Sequence, residues 1–184
     1  GNMVEQDFAK LAKNVFIEKT FLEDCDVINS YLTKNLEKQE QFNLSFASVT
    51  YEPKYLSTIY YIFDRFTNYK QKGEEVIDLY DVDSRVMRGG YNIEHLVPQS
   101  KKDGENEETI DNIGNLLVIS RHTNSAIGNK PFKEKMVILN ERQNKLNIVS
   151  DFIKEYGKQK EWTDQDILDR AGKLSIAAYN DIWK

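Results

Sequence analysis

Apolar residues recur at helical spacing toward both ends of this chain and lose that spacing in its middle, between Lys72-Gly73 and residue 119. Gly89-Gly90 punctuates that middle region and leads straight into Tyr91-Asn92-Ile93, where a strand begins. Pro98 stops the strand, the polar stretch 100–112 predicts a long loop, and residues 115–119 form a second β-rich run. Helical spacing returns after Ser120. The order strand, long loop, strand, helix predicts a hairpin with an extended connection, and a connection of that length is unusual enough inside a compact unit to suggest function or flexibility.

The flanks are helical. Val4, Phe8, Leu11, Ala12, Val15 and Phe16 share one face, and so do Leu56, Ile59, Tyr60, Phe63 and Phe66, with Pro53 suited to the first turn of that second helix. Packing alone produces such aromatic stripes, so they are assigned to the core and given no chemistry. Pro131 opens a helix carrying Phe132, Met136, Val137 and Leu139. Thr163-Asp164-Gln165-Asp166 has the form of a capping box before a last helix lined by Ile167, Leu168, Ala171, Leu174, Ala177, Ala178 and Ile182. The expected fold class is α+β and mainly helical. Residues 1–72 form an amino-terminal helical region and 73–184 a core with carboxy-terminal helices, the two making one compact unit.

With 184 residues, 40% of them hydrophobic, the chain is long enough to bury a core and too apolar to stay disordered. No run approaches the roughly 18 apolar residues that span a bilayer, and no signal peptide is evident, so a soluble cytoplasmic protein is expected. The single cysteine, Cys25, forms neither an internal disulfide nor a cysteine zinc site and reads as a small buried hydrophobe. A net charge of -5 argues against a protein that coats nucleic acid. Within 121–145, however, Arg121, Lys130, Lys133, Lys135, Arg142 and Lys145 outnumber Glu134 and Glu141, while 103–111 is acidic. For any one of these lysines a solvated helix face is as good a reading as a phosphate contact.

Chemistry concentrates around Glu94-His95. A carboxylate beside a histidine at a strand end, one buried asparagine (Asn115) and one helix-borne asparagine (Asn124) can hold one hard metal ion and activate one water, which points to phosphodiester hydrolysis. Magnesium prefers oxygen ligands, and Glu94 with Asn124 supplies a carboxylate and an amide carbonyl. His95 is then free to act as general base, with its other ring nitrogen expected to meet a backbone carbonyl. Because successive strand residues point to opposite faces, the strand is expected to end, twist or bulge at Glu94-His95 so that both reach one site. Asn115, whose amide both donates and accepts, is the brace tying the loop that holds His95 to the second strand.

Three segments carry a family resemblance: Ile93-Glu94-His95-Leu96-Val97-Pro98-Gln99-Ser100, the run 113–135 beginning Ile113-Gly114-Asn115, and a terminal pattern of Trp162, Ile167, Arg170, Leu174, Ile182 and Trp183. Together they resemble the carboxy-terminal HNH domain of GmrSD-type modification-dependent restriction endonucleases, and the core is similar to the HNH nuclease domain of CRISPR effectors. The likeness is strong over the second half and one of character in the first. It implies a ββα-metal (HNH) finger enclosed by helices, with magnesium or manganese, cutting DNA to leave a 5′-phosphate and a 3′-hydroxyl. By position it makes His95 the base, Asn115 the structural asparagine of the catalytic motif, and Glu94 and Asn124 the metal ligands. Asn129, Lys130 and Lys135 receive phosphate or structural contacts. His122, two residues from Asn124 and so on another helix face, is read with Arg121 as a surface or phosphate-contacting residue. The acid is glutamate where the family pattern has aspartate, one methylene longer. The resemblance also implies that an amino-terminal nucleotide-hydrolysing, target-sensing domain precedes this one in a longer protein with a role in defence against foreign DNA. The rival expectation is a catalytically silent module that keeps the finger to bind nucleic acid or protein.

Overall fold

The computed structural model describes residues 38–69 and 90–183 except 105 and 143–145, together with Ala9, Lys13, Asp26, Asn29 and Ser30. The chain divides into two compact units, 1–38 and 39–184. In the first, Ala9, Lys13, Asp26, Asn29 and Ser30 are helical. The apolar stripe expected from Val4 to Phe16, Cys25, and the boundary expected at 72/73 lie outside the described residues.

The second unit runs α1 (Gln39–Ala47), a 3-10 turn (Pro53–Tyr55), α2 (Leu56–Tyr69), β1 (Tyr91–His95), a 3-10 turn (Gln99–Lys101), α3 (Glu107–Asp111), a 3-10 turn (Ile113–Asn115), β2 (Leu116–Ser120), α4 (Arg121–Ile127), α5 (Phe132–Glu141), α6 (Asn147–Tyr156), α7 (Asp164–Ala177) and a π-helical turn (Ala178–Ile182). Among the described residues it is mainly helical with one small sheet. β1 and β2 pair antiparallel, Tyr91 opposite Ser120 and His95 opposite Leu116. Leu116, Leu117, Val118 and Ile119 are all buried, because α4 and α6 both pack on β2. That is why the strand reads as an unbroken apolar run rather than an alternating one.

Caps and prolines set the helix starts. Pro53 opens the 3-10 turn that feeds α2, and the backbone carbonyl of Pro131 accepts from the amides of Glu134 and Lys135 at the start of α5. Thr163 and Asp166 complete a reciprocal capping box at α7, the Thr163 hydroxyl accepting from the Asp166 amide and Asp166 Oδ2 accepting from the Thr163 amide at 2.8 Å. Along α7 the buried face differs from the expected one: Ile167 and Ala171 are buried, Leu168 is exposed, and Arg170 lies inside. α7 lies against the Ile113–Asn115 turn so closely that a Cβ on Gly114 would stand 1.9 Å from the carbonyl oxygen of Ile167. Only glycine allows that approach.

The polar stretch 100–112 is more ordered than a plain loop. It holds α3 and a 3-10 turn, Ile110 is fully buried, and its end is stitched to residues 47–51. Thr50 bridges Asn112, the Tyr51 amide donates to the Asp111 carbonyl at 2.8 Å, and Ile113 donates to Val49 at 2.9 Å. Asn112 ties both sides together, its Nδ2 donating to the Ala47 carbonyl and its Oδ1 accepting from the Gly114 amide, each at 2.8 Å. Hydrogen bonding of the polar side chains to distant backbone, invisible to local spacing, accounts for the difference. Among the described residues no helix is long and apolar enough to cross a membrane.

Candidate active site

Asn115 sets the geometry of the strand end. It is fully buried, its Oδ1 accepts from the Val97 amide at 2.8 Å, and its Nδ2 donates to the carbonyls of Val97 at 3.0 Å and Ile110 at 2.7 Å. Its backbone carbonyl also accepts from the Leu96 amide at 2.9 Å. One amide therefore fixes the segment leaving His95 and the end of α3 at once, which is the bracing its donor and acceptor pair allows. Enclosed and fully engaged, it positions other residues and does not itself face a substrate.

The strand does not bulge at Glu94-His95. It ends at His95, one of the outcomes expected there, and the ladder keeps its register to that residue, while the Glu94 and His95 side chains meet different neighbours. Glu94 Oε1 accepts from Lys135 Nζ, and the same ammonium donates to the His95 carbonyl at 2.6 Å. Lys135 is 1% exposed and the Glu94 side chain 11%. Burial raises the Glu94 pKa while Lys135 opposes the rise, and burial lowers the Lys135 pKa while Glu94 opposes the fall. Of the two roles open to Lys135, the structure gives the internal contact. A lysine with its head group enclosed does not reach a phosphate at the surface. The sequence held a signal for this: Phe132, Lys135, Met136 and Leu139 occupy one stripe of α5, with the lysine at an apolar position.

The His95 ring packs edge-on against Tyr51, with centroids 4.7 Å apart, and its Nε2 lies 3.3 Å from Asp111 Oδ1. That distance suits an ion pair if the ring is protonated, but the contact lacks hydrogen-bond geometry, and Nε2 is buried without a hydrogen-bond partner. A carboxylate lies beside this nitrogen, where a backbone carbonyl was expected. Burial pushes the His95 pKa down to about 4, Asp111 pulls it back, and the charges of Lys102 and Lys135 add to the depression. The imidazole is neutral at neutral pH. Burial works to raise the Asp111 carboxyl, but bonds from Lys102 and Gln99 and the nearby His95 outweigh it, and the net shift is downward. Tyr51 and Asp111 arrive through the 47–51 pairing and α3, which local spacing does not encode, and Lys102 comes as the ion-pair partner of Asp111.

Asn124 lies in α4, which packs on both strands of the hairpin. Its Oδ1 is buried with no hydrogen-bond partner, an arrangement that costs on the order of 1–3 kcal/mol when nothing meets the oxygen. A carboxylate and an unpaired amide oxygen are the hard donors that magnesium or manganese takes, so the residues present fit such an ion. Among the described residues no group of three or more His, Cys, Asp or Glu side chains is placed to hold a metal, and this donor pair does not require one. Arg121, Asn129 and Lys130 are exposed around α4, and His122 is exposed with Nδ1 3.2 Å from Arg142 Nη1. Arg170, missed as a core residue, donates to the carbonyls of Gly114 and Leu116 at 2.7 Å each and stacks on Phe152, holding the turn beneath Asn115.

Residues 36–175 match the family described as GmrSD restriction endonucleases, C-terminal domain. No curated protein and no solved structure matches the chain.

Proposed function

The chain belongs to the family of C-terminal domains of GmrSD restriction endonucleases, and on that premise we propose that it is a metal-dependent HNH endonuclease domain that hydrolyses DNA phosphodiester bonds. The observation that carries the proposal is a buried carboxylate and a neutral buried imidazole on successive residues at one strand end, with an orphaned amide oxygen on the helix packed against that strand. In this reading Glu94 and Asn124 hold magnesium or manganese. The ion would supply Lewis-acid polarisation of a phosphoryl oxygen.

His95, unprotonated down to about pH 4, accepts the proton of the attacking water, and the Asp111 carboxylate offsets the charge the ring then carries. Lys102, bonded to Asp111, keeps that carboxylate ionised. Asn115 holds the backbone on either side of the site. Arg121, His122, Asn129 and Lys130 are the side chains offered to the phosphate backbone, a contact that positions DNA without reading its sequence. The same reading places the domain in the cytoplasm, as the cutting part of a restriction or phage-defence protein whose amino-terminal nucleotide-hydrolysing domain senses the target.

Nicking of supercoiled plasmid tests this. The wild type is expected to nick in magnesium and stop in EDTA, and His95→Ala to lose nicking while keeping its circular dichroism spectrum. Undiminished cutting by His95→Ala removes the proposal. Salt-sensitive DNA binding by a wild type that never cuts would make the domain a binding module.

A further inference from the structure

We infer that Lys135 is a positioning residue for the proposed cation site: a tethered ammonium that holds Glu94 in place as a ligand. The inference rests on the nuclease reading above. Its basis is geometric. α5 carries Lys135 into the interior at an apolar position of its stripe, and there one ammonium bonds two successive residues of β1, Glu94 through Oε1 and His95 through its carbonyl. A lysine head group so enclosed is found where it is paired, and here its partners are the residue proposed as ligand and the backbone of the residue proposed as base.

One consequence follows for Glu94: its carboxylate is fixed at one oxygen, which limits its rotation. The bond to the His95 carbonyl ties the same clamp to the backbone that aims the imidazole. Lys135 thus acts on the ion through Glu94, as outer partners of metal-bound carboxylates do. The opposite role is equally concrete: an ammonium already seated on Glu94 could compete with a metal for that carboxylate. The two roles predict opposite signs.

Equilibrium binding of Mn2+ to the full chain, followed by the electron paramagnetic resonance signal of free Mn2+, separates them. Lys135→Met, close in volume and without charge, is expected to bind Mn2+ about tenfold or more weakly. Lys135→Arg, which keeps a cation, should lose less. Binding by Lys135→Met that equals or exceeds that of the wild type overturns the inference, as does equal loss in Met and Arg variants with native circular dichroism. Should Lys135→Met fail to fold, a crystal of the wild type grown with Mn2+ decides: Lys135 Nζ stays bonded to Glu94 Oε1, and an ammonium swung away from the carboxylate refutes the clamp. A wild type that binds no Mn2+ overturns this inference and the metal-dependent nuclease together. Binding by the wild type that Lys135→Met leaves unchanged overturns the inference alone.

Discussion

Replacing Asn115 probes the brace on which the strand end depends. Its side chain makes three hydrogen bonds, of which that to the Ile110 carbonyl is buried and the two to Val97 are partly buried. Asn115→Ala strands all three backbone groups. Where water can enter, each lost bond costs about 1 kcal/mol, and where it cannot, about 1–3 kcal/mol, so a total loss of about 3–5 kcal/mol is expected. Against a domain stability of roughly 5–15 kcal/mol this weakens the protein severely without obliging it to unfold. Asn115→Asp is more telling, because it retains an acceptor for the Val97 amide but turns a carboxylate oxygen toward the carbonyls of Val97 and Ile110. Such a carboxylate is forced toward its protonated form, so its folded pKa rises. The deficit of Asn115→Asp relative to wild type should therefore shrink as pH falls and the carboxyl gains a proton to donate. Urea denaturation of the three proteins at pH 7 and pH 5, followed by circular dichroism, measures both effects. A loss below about 1 kcal/mol for Asn115→Ala, or an aspartate deficit that grows on acidification, would refute the bracing argument.

Two further outcomes are expected. Gly114→Ala places a methyl where the Ile167 carbonyl already stands, so α7 must shift, at a cost of about 3 kcal/mol or more by thermal or chemical denaturation; a near-neutral substitution would mean that the helix does not lie on the turn. His95 should make the protein acid-sensitive. Its pKa is about 4 when folded and near 6.5 otherwise, so the unfolded chain binds a proton that the folded one refuses, and stability is lost as pH falls from 6.5 to about 4. The full effect is about 3 kcal/mol. The difference between wild type and His95→Gln across that window isolates it, and parallel pH profiles would contradict a buried neutral ring.

The hairpin, the two proline-marked helix starts and the Thr163 capping box were legible in the sequence because each is written in neighbouring residues. Asn115 was legible as a brace because its short amide presents a donor and an acceptor close to the backbone it ties. Lys135 and Arg170 were harder to place, since a cation is ordinarily assigned to the surface. Yet each lies three residues after a buried apolar residue and just before another, Phe132 and Met136 in one case, Ile167 and Ala171 in the other. An apolar stripe interrupted by a cation at that step is the readable sign of an inward-pointing charge. Asp111 and Tyr51 had no such sign. They reach His95 only because residues 47–51 pair with the end of α3, a long-range contact that periodicity does not encode. Strand geometry required an end, a twist or a bulge at Glu94-His95, and β1 ends at His95 with its register intact.

Anomalous diffraction from a crystal grown with Mn2+ locates the ion itself. A single peak is expected within about 2.5 Å of a Glu94 carboxylate oxygen and of Asn124 Oδ1, with the His95 ring beside it and making no bond to the ion. A peak elsewhere, or none at a concentration that supports cleavage, would contradict this site.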